Sequence, residues 1–308
     1  MKKEDKRNEG QNREGETEKK ISLTISDLKE WLEYPNRIEK AYLAVISEIE
    51  SRAEETSIRK SIICEFDYLD NWYCHNFVYE MLTKGTSSYR NELVSNSYHV
   101  MMIAGIFAEK NPDNPPRLMS FEYIAWWLAN CVIHKWHQES ETLLKIINNG
   151  LHTKFLHGGP DFKMTAWFII EMVAKGHKQG VDYKQFNYPK DMKVYQQALA
   201  HWDTDDMDFL DKMISTLCDY HLSQASYGSM ANNAGLNDPA FLQFSTTVWF
   251  VYAFEILTWL RIREQAGLKN PENLTHPLMN IPLNKLPDDT ISRPRNELFE
   301  RILLRLKE

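Results

Sequence analysis

The chain uses few of the residues that interrupt or staple a fold: 12 glycines, 12 prolines and 4 cysteines in 308 positions. So little Gly and Pro excludes collagen-like repeats and weighs against a many-turned all-β protein. Cys64, Cys74, Cys131 and Cys218 form no Cys-x-x-Cys pair. Cys64 and Cys74 fall in one predicted helix, about 15 Å apart along its axis, too far for a disulfide. All four read as buried thiols of a reducing cytoplasm. A long apolar run is missing as well. The most apolar segment, Thr246–Leu260, is interrupted by Glu255 and is shorter than the ~20 residues that span a bilayer. Met1-Lys2-Lys3 is followed by no apolar stretch, so no secretory signal and a cytoplasmic location are expected. Positive charge is not in excess: 36 Lys+Arg stand against 43 Asp+Glu, a net charge of −7. That balance disfavours direct nucleic-acid binding, which needs a basic face.

What is present points to a packed core. With 43% hydrophobic and 12% aromatic residues, wholesale disorder is excluded. A chain of this length buries enough surface to fold without metals or disulfides, as one large domain or two small ones. Residues 1–20 have no apolar side chain after Met1 and are expected to form a disordered charged tail. From Ile21 the apolar period is helical. Leu28, Trp31 and Leu32 mark a short first turn, and Pro35 opens a helix through Ile38, Tyr42, Val45, Ile46 and Ile49. Further helices are predicted at Ser57–Thr83, Ser88–Ala108, Phe121–Gln138, Glu141–Asn148 (stopped by Gly150), Asp161–Ala174 and Lys190–Trp202. Asp206–Tyr227, Thr246–Gln265 (stopped by Gly267) and Arg295–Lys307 complete the set. No alternating strand or Asn-Gly hairpin lies between them. The expected fold is all-α: about ten helices in a compact array of antiparallel helical hairpins, with two closely packed halves at 21–185 and 186–308.

Six candidate features follow. His134-Lys-Trp-His137 with Glu141, at i, i+3 and i+7, would converge on Zn²⁺ or Fe²⁺ if all three lay on one helix face. Such helical metal sites usually repeat the motif on a second helix, which this chain does not do. The alternative is histidines used in packing. Asp203, Asp205, Asp206, Asp208 and Asp211 form the densest acidic cluster. A calcium loop needs an oxygen ligand at its fifth position and Gly at its sixth, where Met207 and Asp208 stand. Capping explains two or three of these aspartates, and the surplus marks a face for a basic partner. His157-Gly158-Gly159-Pro160 lacks the Gly-Lys-Ser/Thr of a phosphate loop, and Gly228-Ser229 lacks a Gly-x-Ser-x-Gly elbow. Glu255, inside an aromatic helix, must be paired or protonated, with His221 and Arg261 as candidate partners. The polar connection Tyr227–Phe241, with Asn232, Asn233, Asn237 and Asp238, is a candidate binding loop. No motif calls for a cofactor.

The order of features in the second half resembles a known family. Tyr195 and Trp202-Asp203-Thr204-Asp205 precede Cys218-Asp219-Tyr220-His221; Trp249 and Phe254-Glu255 follow, then His276-Pro277-Leu278-Met279. This arrangement resembles the all-helical immunity proteins of bacterial polymorphic toxins, the PoNi-like family or a sister family, over about residues 60–300. The resemblance implies a non-enzymatic inhibitor that neutralises a cognate nuclease toxin, often a DNase, delivered by contact-dependent secretion. Asp203–Asp211 and the Tyr227 loop would carry the interface, and Trp202, His221, Trp249, Glu255 and His276 would be structural. Whether the chain also forms a homodimer stays open at this point.

Overall fold

The computed structural model describes residues 2–33, 44, 47, 48, 51, 62–110, 119–153, 155–157, 163–181, 188–227, 242–291 and 297–307. The main elements are helices: α1 (Lys2–Glu33), α2 (Ile62–Lys84), α3 (Arg90–Lys110), α4 (Phe121–Ile133), α5 (His137–Leu151), α6 (Met164–Gly176), α7 (Val194–Ala200), α8 (Met207–Gln224), α9 (Phe254–Gln265) and α10 (Glu297–Lys307). Short 3₁₀ turns at Thr247–Trp249, Pro277–Asn280 and Pro282–Asn284 connect them in the second half. Met119–Ser120 and Leu156–His157 form a two-residue parallel pairing. The fold is all-α. No described helix is long and apolar enough to cross a membrane. The predicted helix from Pro35 to Ile49 lies mostly outside the described residues.

One continuous core runs from Leu28 to Leu306. Its centre is α9, packed on both α4 and α6, so a helix of the second half is buried against two helices of the first. Trp126, Trp127, Trp167 and Trp259 are fully buried there. Close approach is set by small residues where helices meet. A Cβ on Gly105 of α3 would lie 2.9–3.1 Å from three carbons of Ile146, tighter than packed atoms allow.

Several element boundaries differ from the sequence expectation, each for a visible reason. Residues 2–20 are helical, not a disordered tail. Arg13, Thr17, Lys20, Thr24, Leu28 and Trp31 recur at three- and four-residue spacing, forming one face of α1. Arg13 donates to both carboxylate oxygens of Asp219, at 2.9 and 2.6 Å. Lys20 donates to the Ala225 carbonyl, and Thr17 and Thr24 are buried. The first half of this helix docks through polar side chains, which an apolar-period search does not register, and Leu28 joins the core further along. The predicted helix Phe121–Gln138 breaks at His134–Trp136. Lys135 adopts φ 65°, Trp136 N–H donates to Cys131 O (2.9 Å) and Lys135 N–H to Val132 O (3.0 Å). That is a Schellman stop with lysine where glycine is usual. The predicted stop at Gly150 is passed by α5, because Gly150 is needed for packing: a Cβ there would meet Phe155 Cδ1 at 2.8 Å. Thr246–Gln265 splits into the 3₁₀ turn and α9. The Asn284 side chain accepts from Ala253 N–H (2.9 Å) and donates to the Val251 and Leu278 carbonyls (both 2.8 Å), satisfying backbone groups that a continuous helix would have paired internally.

Candidate interaction surface

The acidic run joins α7 to α8, and its backbone is held from below. Arg263 of α9 is fully buried. Its guanidinium donates to the carbonyls of Trp202 (2.7 Å), Thr204 (2.9 Å) and Lys269 (2.6 Å), and to Asn270 Oδ1 (3.1 Å). Trp259 Nε1–H donates to the same Trp202 carbonyl at 3.0 Å. Burial weakens the hold of Arg263 on its proton, and the carboxylates of Asp205 and Asp203 oppose that effect. One buried cation therefore fixes the loop geometry and also draws these two aspartates electrostatically.

The five aspartates then divide by what they touch. Asp206 is the N-cap of α8, accepting from Phe209 N–H at 3.0 Å. Asp211 accepts from Thr275 N–H (3.0 Å) and Thr275 Oγ1–H (2.7 Å), tying α8 to the segment before His276. Asp208 lies in the first turn of α8, where a carboxylate complements the helix dipole. Asp203, Asp205, Asp206 and Asp208 are all exposed. Asp211 is half-buried and lines a cleft of about 980 Å³ between α1 and α8, together with Glu14, Glu18, Thr17 and Ser215. Arg13 and Lys212 line the same cleft, so its charge is mixed.

His221 and Asp219 occupy the two sides of α8 and gather Glu255, Trp249 and His276, which are expected from the sequence to be structural. On the buried side, His221 Nε2–H donates to the Trp249 carbonyl and His221 Nδ1 bonds Glu255 Oε1, both at 2.8 Å. Both side chains are inaccessible to solvent. One proton is shared between Nδ1 and Glu255 Oε1, while Glu255 Oε2 is buried without a hydrogen-bond partner. Glu255 pairs with His221; Arg261, the other expected partner, instead donates to Ile133 O (2.9 Å) and to the Pro287 carbonyl. On the outer side, Asp219 receives Arg13 and also His276 Nε2–H at 3.1 Å. Burial disfavours the Asp219 charge, but the His276 and Arg13 hydrogen bonds outweigh it and hold the carboxyl below its ordinary range. His276 Nδ1 accepts from Leu278 N–H at 3.1 Å, capping the His-Pro turn. Tyr227 is half-buried, its hydroxyl 2.6 Å from Thr247 Oγ1. Asn232, Asn233, Asn237 and Asp238 lie outside the described residues, as does most of the His157–Pro160 turn.

The metal arrangement does not form. The Schellman stop separates His134 from His137, which begins α5. His134 is buried, its Nδ1–H donating to Asn130 O at 2.9 Å, and burial lowers its pKa to about 4. His137 is exposed, and Glu141 pairs with Lys145 at 3.0 Å. Among the described residues, no group of three or more His, Cys, Asp or Glu side chains is arranged to hold a metal ion.

Sequence reasoning passed over Asp70. It is buried in α2, accepts from Ser97 Oγ–H (2.8 Å) and Trp127 Nε1–H (3.0 Å), and has its pKa pushed up by burial to about 7. The signal was available: Phe66, Asp70, Cys74 and Phe77 share one helix face. All four are buried. In comparisons with known proteins, the chain matches no family model, no curated protein and no solved structure.

Proposed function

We propose that this chain is a non-enzymatic immunity protein that binds and neutralises a cognate nuclease toxin, a DNase first of all, in the bacterial cytoplasm. The observation that supports it is the set of exposed carboxylates at Asp203, Asp205, Asp206 and Asp208 on a loop pinned by buried Arg263. A DNase must present a basic surface to its substrate. An acidic surface steers such a partner into encounter, and a loop already fixed in place loses little freedom on docking. Capping and anchoring occupy Asp206 and Asp211, which leaves Asp203, Asp205 and Asp208 as the side chains offered outward. The test is co-expression with a toxin encoded beside the gene. Restored growth is expected, and continued killing with full expression of this chain overturns the proposal.

A further inference from the structure

A second concavity, of about 430 Å³, lies where the C-terminal part of α1 crosses α2 and the Thr247 turn. Asp27, Leu28, Glu30 and Trp31 form its α1 wall, and His75, Tyr227 and Thr247 face them. The geometry points to a binding site for a guanidinium group, supplied by an arginine side chain of a protein partner.

Three features carry this. First, the wall offers carboxylate and imidazole acceptors. Asp27 Oδ2 is shielded from solvent and receives no hydrogen bond; burial, and then the neighbouring Glu30, raise the pKa of its carboxyl. His75 Nδ1–H donates to Asn71 O at 2.6 Å, so its Nε2 offers a lone pair. Burial lowers the His75 pKa to about 4, which keeps that lone pair free of a proton at neutral pH. Glu30 adds a second carboxylate at the exposed rim. Second, the wall has flat π surfaces. Trp31 stacks on His75 with centroids 4.0 Å apart and an interplanar angle of 22°. Tyr227 is fixed by its bond to Thr247 and by an edge contact with Phe250 at 5.0 Å. Third, no Lys or Arg is among the described lining residues, and neighbouring Lys29 is engaged with Glu33 at 3.5 Å.

A shielded carboxylate without a donor is costly, and a charge-assisted hydrogen bond relieves that cost. Guanidinium suits the site better than ammonium, because it is planar, carries five N–H donors and stacks on aromatic faces. The cavity admits a side chain but not a helix ~10 Å across. That the arginine belongs to a protein partner rests on the inhibitory reading above; the preference for a guanidinium does not.

The experiment titrates the purified full chain calorimetrically with a Gly/Ser peptide carrying one central arginine. Companion titrations use the same peptide with citrulline or lysine in its place, and tetramethylammonium. The arginine peptide is expected to bind at least about tenfold more tightly than the citrulline peptide, as losing a charge-assisted hydrogen bond implies. Asp27→Asn with Glu30→Gln should erase that preference. Trp31→Leu should reduce the preference for arginine over lysine, and circular dichroism confirms that each variant is folded. Absence of saturable arginine-peptide binding, equal affinity for citrulline, a preference unchanged in the double variant, or tighter binding of tetramethylammonium overturns the proposal. No toxin is present in this measurement, so its failure leaves the growth-rescue result standing, and a failed rescue leaves the peptide result standing.

Discussion

Asp70 is an acid that the fold keeps near half-protonated at neutral pH. In the unfolded chain its pKa is about 3.9, whereas burial lifts it to about 7 in the folded state, against the hydrogen bonds from Trp127 and Ser97. Between those values the folded protein retains a proton that the unfolded chain has released, so this residue's contribution lowers stability as pH rises and levels off above pH 7. Asp70→Asn removes that dependence. The variant's advantage over the parent should grow by roughly 2–3 kcal/mol between pH 5 and pH 8, read from urea unfolding at both values. Glu255 behaves differently because its partner is equally buried. Glu255→Ala strands His221 Nδ1 and should cost about 3–5 kcal/mol, as broken buried pairs do. Glu255→Gln keeps a donor for the neutral ring while His221 Nε2–H still serves the Trp249 carbonyl. Unfolding midpoints should therefore rank parent, Gln, Ala in falling order.

At the scale of elements, α1 is the helix least like the others. Its first half is fastened through Arg13 to Asp219, with His276 sharing the same carboxylate. Because Arg13 and Asp219 are each more than a third exposed, solvent screening limits the pair to under about 1 kcal/mol of global stability. Arg13→Ala should therefore barely move the unfolding midpoint while accelerating amide exchange across residues 10–20, measured by hydrogen-exchange mass spectrometry. Unchanged exchange there would mean that Lys20 and the core contact of Leu28 suffice to hold the helix. This element also shows where sequence reading reaches its limit. The predictions for α2, α3, α8 and α10 lie near their observed bounds because each carries its own apolar face. The first half of α1 was missed because its docking side chains are Arg13, Thr17 and Lys20, informative only once Asp219 and Ala225 are in place. The stop at Lys135 was missed because the left-handed residue is not glycine, and the break before α9 because Asn284 supplies it from outside the segment. The candidate surface was legible as an aspartate surplus; its anchor, Arg263, was not, since a lone arginine in an apolar run says nothing of the carbonyls it gathers.

For the whole molecule, the net charge of −7 matters less than its distribution. Residues 1–20 hold seven basic and six acidic side chains, so the remainder carries −8, and five aspartates fall between 203 and 211. Long-range attraction depends on this distribution, and at physiological salt it decays over about 8 Å. A charge-reversal test must separate attraction from folding. Asp206 and Asp211 are unsuitable, because one caps α8 and the other anchors Thr275. Asp205→Lys with Asp208→Lys leaves the cap, Asp211 and the Arg263 hydrogen-bond acceptors in place. These two carboxylates also offset the Arg263 charge and the α8 dipole, so the unfolding midpoint is measured beside the kinetics. If the acidic face steers a basic toxin, association at low salt should slow by roughly tenfold or more, while dissociation changes less. Raising the salt should bring the parent's rate down toward the variant's, since screening removes the same attraction that the reversal removes. Stopped-flow or surface-binding kinetics at several ionic strengths read both effects. A rate indifferent to the double reversal and to salt would move the interface away from α8, whatever the growth experiment shows.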